Sequence, residues 1–430
     1  MIPQKDILET AEKLKPEIKN MLSAASKGYD DDRASINLPY DKDMLSKVRQ
    51  AVEDKSQLNP EYLVVVGIGG SNLGTMAVQE AVLGKFYNQL DPNVKVLYAD
   101  TVDSDLVNAI VKMVEPTLER DCNIILNVVS KSGTTTETAA NLEVIIDSLR
   151  RHRKEYGNYV VVTTDEDSKL WNLALKEGFS VLKIPKKVGG RYSVFSPVGL
   201  FPLGLLGIDI EHLLDGARFM RDACINLDIE QNLAALGAAI QYQHYKSGKN
   251  ITDLFLFSND LESVGKWCRQ LIAESLGKEF NKKGERLNVG VTPTVSIGST
   301  DLHSMAQLYL GGPYDKFTTF VRVENNSSQI NVPRLEGYSE LVSGIQGRSL
   351  KDIMDAILEG TKGAFRKGGR PFFEITLPDK SEHSIGQFLQ FKMIETIYLA
   401  YLLDVNPFDQ PNVESYKRET RKILARKKKH

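Results

Sequence analysis

Cysteine is scarce in this sequence, with three residues among 430, at positions 122, 224 and 268. An odd and scattered set of thiols argues against a disulfide framework and favours a reducing compartment. Long apolar runs are also missing, since the best candidate, IYLAYLLDV, is too short to cross a membrane. The amino terminus lacks the apolar core and cleavage site of a secretion signal. We therefore predict a cytoplasmic protein without membrane contact.

An excess of charge of one sign is absent as well. Lys and Arg total 54 against 56 Asp and Glu, so the formal net charge is −2 and no global field attracts nucleic acid. The basic end, KRETRKILARKKKH, is more typical of a solvated helix end than of a nucleic-acid tail. The histidines show neither HxxxH nor Cys/His spacing. The sequence therefore predicts no nucleic-acid partner, no metal site and no cofactor.

What the chain does contain is an alternation of strands and helices. Five β-branched runs lie between residues 61 and 185 (YLVVVG, VKVLYAD, NIILNVV, YVVVTTD and SVLKIP), with helix-length segments between them. Four more strand-like runs follow (ITDLFLFSND, TPTVSIGSTD, KFTTFVRVEN and RPFFEITLP). This alternation predicts an α/β fold with two αβα sandwich domains, each built on a parallel doubly wound sheet.

Helical segments are expected at both ends, with the first packing on the outside of the domains. The Gly- and Pro-rich stretch GRYSVFSPVGLFPLGLLGID is typical of a crossing between domains. The predicted bounds are 1–50 for the N-terminal helical segment, 51–205 and 206–400 for the two domains, and 401–430 for the C-terminal helical tail.

One strand end carries an unusual number of hydroxyl groups. The stretch VVSKSGTTTET puts Ser130, Ser132, Thr134 and Thr135 between a predicted strand and a predicted helix. At that point, free backbone N–H groups and the helix dipole favour an anion. Capping the helix would need a single hydroxyl. The surplus favours a phosphate site.

A glycine loop, GIGGSNLG, follows the strand LVVV and opens another helix. Its glycines would let the backbone approach a ligand closely. It departs from the dinucleotide fingerprint at Asn72, where Gly is required, and the chain contains no GxxxxGK[ST] motif. Two polar loops at neighbouring strand ends therefore favour a sugar-phosphate cradle over a nucleotide cleft.

Several side chains could carry chemistry, although each has an ordinary structural explanation. Glu274 follows the apolar LIA, which would desolvate a general base, and Gln270 shares its flank of a helix; a surface glutamate would give the same pattern. His303 follows a Ser-Thr-Asp helix start, where an uncharged imidazole could shuttle protons, or it is structural. Arg191 can stabilise an oxyanion, and Lys417 is exposed by default.

Six motifs together resemble the glucose-6-phosphate isomerase (phosphoglucose isomerase) family, in its compact bacterial type. In order they are GIGGSNLG, SKSGTTTET, VGGRYSVFSPVG, AESLGKE, GSTDLHSMAQL and NPFDQPNVESYK. The resemblance implies two sugar-isomerase-type (SIS) domains and a metal-free conversion of glucose 6-phosphate to fructose 6-phosphate. Two positions depart from the family pattern: Lys186 replaces an acidic or small polar residue, and Asn412 replaces Gly.

The resemblance also implies individual roles. Glu274 would move the proton between C2 and C1, and Arg191 would steady the enediolate. His303 would open the sugar ring with help from Lys417, and in this family that histidine crosses from the partner of a homodimer. The expected substrate-binding residues are Gly70, Ser71, Ser130, Lys131, Ser132, Thr134, Thr135, Glu137, Gln270 and Gln410.

Two rival functions stay open at this point. An isomerase of the same fold could also accept mannose 6-phosphate. A non-catalytic sugar-phosphate sensor would need the phosphate loop, but it would not need Glu274, His303 and Lys417 together. Such a sensor would usually carry a helix-turn-helix, and the sequence shows no convincing one.

Overall fold

The structure is a computed structural model that describes residues 2–427; Met1 and residues 428–430, the end of the predicted C-terminal tail, lie outside the described residues. Its α-helices are α1 (Gln4–Glu12), α2 (Lys15–Ala24), α3 (Lys42–Ser56), α4 (Leu73–Leu83), α5 (Ser104–Glu119), α6 (Thr136–His152), α7 (Lys169–Glu177), α8 (Pro197–Leu205), α9 (Ile210–Cys224), α10 (Leu233–Lys246), α11 (Glu262–Leu276), α12 (Ala306–Gly311), α13 (Leu350–Lys367), α14 (Glu382–Leu402) and α15 (Val413–Lys427).

The strands are β1 (Pro60–Val66), β2 (Lys95–Ala99), β3 (Asn123–Val129), β4 (Val160–Thr164), β5 (Ser180–Lys183), β6 (Ile251–Leu256), β7 (Lys278–Phe280), β8 (Arg286–Val289), β9 (Thr292–Ile297), β10 (Lys316–Val323) and β11 (Phe372–Leu377). They form two parallel sheets, in the orders β2-β1-β3-β4-β5 and β11-β10-β6-β9. Strands β7 and β8 pair antiparallel. The predicted parallel strands are confirmed; the β7–β8 pair was missed because its strands are short and carry no alternating apolar pattern.

Alternation along each strand divides the side chains between two cores. Leu63 and Val65 of β1 face a main core, which also contains Leu254 and Leu256 of β6. Their neighbours Val64 and Val66 face a second core under α5 and α6. Phe255 of β6 faces a third, aromatic core under α13. Because successive strand residues point to opposite faces, each parallel sheet lies between two helical layers, and the predicted αβα class is confirmed.

The N-terminal segment is part of the main core and not an outer addition. Leu14, Ile18 and Met21 repeat at helical spacing and are fully buried, as is Ile36. The expectation that this segment packs outside the domains is therefore wrong, because its apolar stripe needs the core to cover it. Helix α3 continues through residue 50, and α14 continues through residue 400. The domain bounds themselves stay a prediction.

Within residues 2–427, every helix is too short or too polar to span a membrane.

Two glycines let α9 and α14 cross at close range. A Cβ atom on Gly216 would lie 2.0 Å from the carbonyl oxygen of His383, and one on Gly386 would lie 2.1 Å from that of Leu213. Both contacts are with backbone, which cannot move aside as a flexible side chain can. The crossing therefore depends on the absence of side chains at these two positions.

We expect Gly216→Ala to lower the free energy of unfolding by about 1–3 kcal/mol, because overpacking forces the two helices apart. Gly360→Ala is the matched control, since Gly360 also lies within a helix but has open space around it among the described residues. There alanine should raise stability by roughly 0.4–1 kcal/mol. Urea titration of the wild type and the two variants measures the free energy of unfolding of each. Equal changes in Gly216→Ala and Gly360→Ala would contradict the packing explanation.

Candidate active site

The site lies where the first parallel sheet reverses its direction of winding. Strands β1 and β3 are neighbours, and Val66 is paired with Val128 near their carboxyl ends. Helix α4 packs in the main core, while α6 packs on the opposite face. The loops after β1 and β3 thus diverge and leave a crevice between them, the usual ligand position in such sheets. The crevice has a volume of about 580 Å³, which suits a small molecule.

Most of the predicted site residues line this cleft. They are Gly70, Ser71, Lys131, Ser132, Thr134, Thr135, Glu137, Arg191, Gln270, Glu274, Gln410 and Lys417. Ser130 is buried beneath the loop, where its Oγ lies 3.0 Å from Oγ1 of Thr135. His303 lies elsewhere, on an exposed turn. Residues from five distant stretches of the chain therefore meet in one cleft.

The hydroxyl groups after β3 are not used to cap the following helix. Thr135 is the N-cap residue of α6, yet within the described chain the amino terminus of α6 has no side-chain cap. Ser132 and Thr134 instead contact each other, with their hydroxyl oxygens 3.2 Å apart. By contrast, the Ser168 hydroxyl caps α7 by accepting a hydrogen bond from the Trp171 N–H. The loop therefore presents hydroxyls and the positive end of a helix to the cleft, an arrangement that suits an anion.

Lys131 is bound to protein groups on the wall of the cleft. Its Nζ donates to both carboxylate oxygens of Asp165, at 3.0 and 3.2 Å, and to the main-chain carbonyl of Lys186 at 2.6 Å. The ammonium is thus already neutralised by a carboxylate. Position 186 contributes a backbone oxygen here, so its departure from the family pattern leaves this contact intact.

The glycine loop approaches another protein loop more closely than the sequence suggested. A Cβ atom on Gly70 would lie 2.3 Å from the carbonyl carbon of Gly190. Gly69 has φ +59°, and a Cβ there would lie 3.0 Å from Nε2 of Gln270. The glycines were expected to admit a ligand. They also seat the β1 loop against the segment that carries Arg191, which no periodicity in the sequence could reveal.

Arg191 is the most constrained side chain of the cleft and is 2% exposed. Its guanidinium donates to five acceptors: Oγ of Ser275 (2.9 Å), Oε2 of Glu274 (3.2 Å), Oε1 of Gln410 (2.8 Å), the carbonyl of Pro407 and the carbonyl of Asp409 (3.0 Å). A guanidinium has five N–H donors in a rigid plane. Its position and orientation are therefore set before any ligand arrives.

Glu274 sits between two polar partners at the cleft. Oε2 accepts from Arg191, and Oε1 accepts from Nε2 of Gln270 at 3.0 Å. Leu271 and Ile272 are buried in the main core on another face of α11. The expectation of an apolar setting for Glu274 is therefore wrong, because neighbours along a helix do not face the same way. The helical flank shared with Gln270 is confirmed.

His303 and Lys417 lie on less constrained elements. His303 is exposed and ends a one-turn 3₁₀ helix, Thr300–His303, before α12 begins at Ala306. The predicted helix start is confirmed, since Ser299 is the N-cap residue and His303 lies in the single turn that follows. Asp301 accepts hydrogen bonds from the Ile297 N–H and the Ser304 hydroxyl, which close this turn. Lys417 lies on α15 and contacts Glu414 at 3.0 Å.

Arg421 and Asp165 are among the cleft residues that the sequence analysis missed. Arg421 lies four residues after Lys417 on α15, so helical spacing could have pointed to it. Asp165 reaches the cleft from the end of β4 through its pair with Lys131, a contact without a local signal. Across residues 2–427, His, Cys, Asp and Glu nowhere gather in threes close enough to hold a metal ion.

Comparison with known structures defines the class of protein. A crystal structure of a hypothetical protein from Thermus thermophilus matches with a TM-score of 0.87 and 33% identity, covering 97% of this chain and 96% of that one. A glucose-6-phosphate isomerase from Chlamydia trachomatis has the same fold, with a TM-score of 0.82 and 20% identity over 98% of this chain and 86% of that one. The fold is therefore the one seen in that glucose-6-phosphate isomerase, as predicted.

Comparison of sequences then gives the family. The family model for phosphoglucose isomerase matches residues 42–430. The glucose-6-phosphate isomerase of Carboxydothermus hydrogenoformans is 34% identical over 389 residues, which are 89% of this chain and 82% of that protein. The chain therefore belongs to the phosphoglucose isomerase family.

The hydroxyl loop should bind an anion, and Ser132→Ala tests this. Losing one hydrogen bond to a charged group costs about 1.5–3 kcal/mol, so inorganic phosphate should bind roughly tenfold to a hundredfold more weakly. Isothermal titration calorimetry measures the affinity. Ser26→Ala is the control, because the exposed Ser26 hydroxyl donates to the Ser23 carbonyl far along the chain from the loop. An affinity unchanged in Ser132→Ala would contradict this role.

Proposed function

We propose that this chain catalyses the reversible conversion of D-glucose 6-phosphate to D-fructose 6-phosphate, with Glu274 as the base that carries the proton between C2 and C1. The observation that carries the proposal is a carboxylate paired with a buried guanidinium, Oε2 of Glu274 to Nη1 of Arg191 at 3.2 Å. The pair opens on the same cleft as the hydroxyl loop. Family membership supplies the substrate class.

The reaction needs a positioned base because a C–H next to a carbonyl is a weak acid. In the open-chain aldose, Glu274 takes the proton from C2, and the electrons of that bond form a cis-enediolate with the carbonyl oxygen at C1 as the oxyanion. Glu274 returns the proton to C1, while the hydroxyl proton of O2 moves to O1, which leaves the ketose. A single carboxylate suffices since C1 and C2 are adjacent.

Arg191 stabilises the enediolate in this scheme. Developing negative charge is stabilised most by donors that are already oriented, since these pay no reorganisation cost during the reaction. The five hydrogen bonds that hold Arg191 and its near-complete burial support this role. The contact of Gln270 with Oε1 of Glu274 orients the base from its other side.

The phosphate group supplies binding energy and takes no part in bond breaking. Ser130, Lys131, Ser132, Thr134 and Thr135 form the proposed phosphate loop, with Gly70, Ser71 and Glu137 beside the sugar. Lys131 would bind the phosphate through its backbone N–H, since its ammonium already forms an ion pair with Asp165. Interactions with a remote group raise the rate by holding the reacting carbons near the base.

Ring opening is assigned to His303 of a second copy of the chain, with Lys417 assisting at the ring oxygen. His303 is exposed and lies apart from its own cleft. His303 follows β9, and the segment 324–349 follows β10. Both strands run parallel to β6, so His303 and this segment lie at the same end of the sheet, beyond the carboxyl ends of its strands. The segment 324–349 contains several large apolar side chains that are exposed: Ile330, Leu335, Tyr338, Leu341 and Val342. Such a patch favours a protein interface.

Glu274→Gln should lower kcat for fructose 6-phosphate by about 10²-fold or more, the scale of a lost general base. Glucose-6-phosphate dehydrogenase couples the product to NADPH absorbance. The control is Glu262→Gln, the same change on the same helix, where the carboxylate pairs with Lys85 and Lys266. Wild-type activity should also survive EDTA. A mutant of normal activity would show that the base is misassigned, and loss with EDTA would overturn the metal-free scheme.

Mixed dimers test whether His303 acts across the interface. Glu274→Gln and His303→Ala chains with different tags are co-expressed, and the doubly tagged dimers are purified. One of the two sites then combines an intact Glu274 with the other chain's intact His303, so the mixed dimer should recover about half of the wild-type rate. Each parental dimer should stay near background. Background activity in the mixed dimer as well would place both groups in one chain, and a fully active monomer would refute the interface itself.

A further inference from the structure

Lys278 is a buried cation directly behind the proposed catalytic pair. It begins β7, just after the carboxyl end of α11, and its side chain is 5% exposed. Its Nζ donates to the main-chain carbonyl of Glu274 at 2.8 Å and to that of Asp409 at 2.6 Å, and it lies 3.0 Å from Oδ1 of Asp409. A buried ammonium is costly unless its donors are used, and here three acceptors surround it.

These contacts reach both members of the catalytic pair. On α11, Lys278 donates to the main-chain carbonyl of Glu274 itself. The Asp409 carbonyl, its second main-chain acceptor, also accepts a hydrogen bond from Nη2 of Arg191. Asp409 and Gln410 lie on the loop of residues 403–412, which joins α14 to α15. Lys278 therefore connects the helix that carries the base to the loop that holds the arginine.

Asn412 forms a second hydrogen-bonded contact between β7 and this loop. Nδ2 of Asn412 donates to Oε2 of Glu279 at 3.1 Å, so adjacent residues of β7 bind both Asp409 and Asn412. This contact needs the side-chain amide of Asn412. Beyond the loop lies α15 with Lys417, so the position of that lysine also depends on how the loop is held.

The charge of Lys278 suits its place in the helix. The last carbonyls of α11 carry the negative end of the helix dipole, where a cation is stabilising. Burial lowers the pKa of Lys278, while the carboxylate of Asp409 acts in the opposite direction. The ammonium thus satisfies a helix end, a carboxylate and a loop carbonyl at once.

We propose that Lys278 is a positioning residue for the isomerisation, which fixes the 403–412 loop against the end of α11 and thereby sets the geometry of Arg191 relative to Glu274. The inference rests on the proposed function. It gives Lys278 no contact with substrate. A displacement of the catalytic groups by about 1 Å can cost roughly a hundredfold in rate, so a residue with this role should affect turnover more than binding.

Lys278→Met keeps the length of the side chain and removes the charge. We expect kcat to fall about tenfold to a hundredfold, with KM for fructose 6-phosphate changed less than about threefold. Lys278→Arg keeps the positive charge beside the carboxylate of Asp409 and should recover part of kcat. Lys282→Met is the matched control. Lys282 and Lys278 both line a cavity beside the 403–412 loop, but the Nζ of Lys282 lies over the Tyr401 ring. The kcat of this variant should equal that of the wild type.

The readouts separate this role from a general effect on folding. Circular dichroism and thermal melts are recorded for each variant at the assay temperature. If Lys278→Met does not fold, Asp409→Asn weakens the same ion pair and should lower kcat several-fold at nearly constant KM. Normal kcat in a folded Lys278→Met, normal kcat in Asp409→Asn, or a loss that arginine does not restore would each overturn the proposal. Inactive wild-type protein would instead overturn the proposed function.

Discussion

The buried guanidinium of Arg191 is the constraint on which the rest of the site depends. A cation withdrawn from water must have its donors satisfied, and Arg191 obtains its acceptors from α11 and from the loop after α14. These segments can supply them only if the main core holds α11 and α14 side by side and Gly70 allows the β1 loop to come close. The fold and the site are thus fixed by one set of contacts.

The side chains around Glu274 and Arg191 are held by more hydrogen bonds than those of the hydroxyl loop and α15. Glu274, Arg191 and Gln270 are linked by hydrogen bonds before any ligand binds, as electrostatic preorganisation requires. The hydroxyl loop and α15 are more exposed and present polar groups to solvent. His303 lies on an exposed turn outside the cleft and is proposed to reach a second copy of the chain. Constraint therefore decreases from Glu274 and Arg191, the proposed proton-transfer centre, toward the groups proposed to bind the phosphate and open the ring.

Much of the fold was predictable because it follows local rules. Runs of β-branched residues with helices between them specified the strands of both parallel sheets, and the placement of loops at strand ends follows from parallel pairing. The sequence could not show that Arg191 would pair with Glu274, nor that the hydrogen bonds of Asp301 would limit the helix start before His303 to a single 3₁₀ turn. Both depend on side chains from distant segments or on local hydrogen bonds that compete with a helix.

By itself, the sequence determined the α/β class, the order of the strands along the chain, the hydroxyl-rich loop and, through its motifs, the family. Tertiary structure alone decided that Gly70 of the β1 loop packs against Gly190 and that Asp165 pairs with Lys131. It also decided that the ion pair of Lys278 and Asp409 lies behind Glu274 and Arg191. The physical reason is range: propensity and periodicity act over a few residues, whereas a buried charge is neutralised by whichever groups the packed core brings to it.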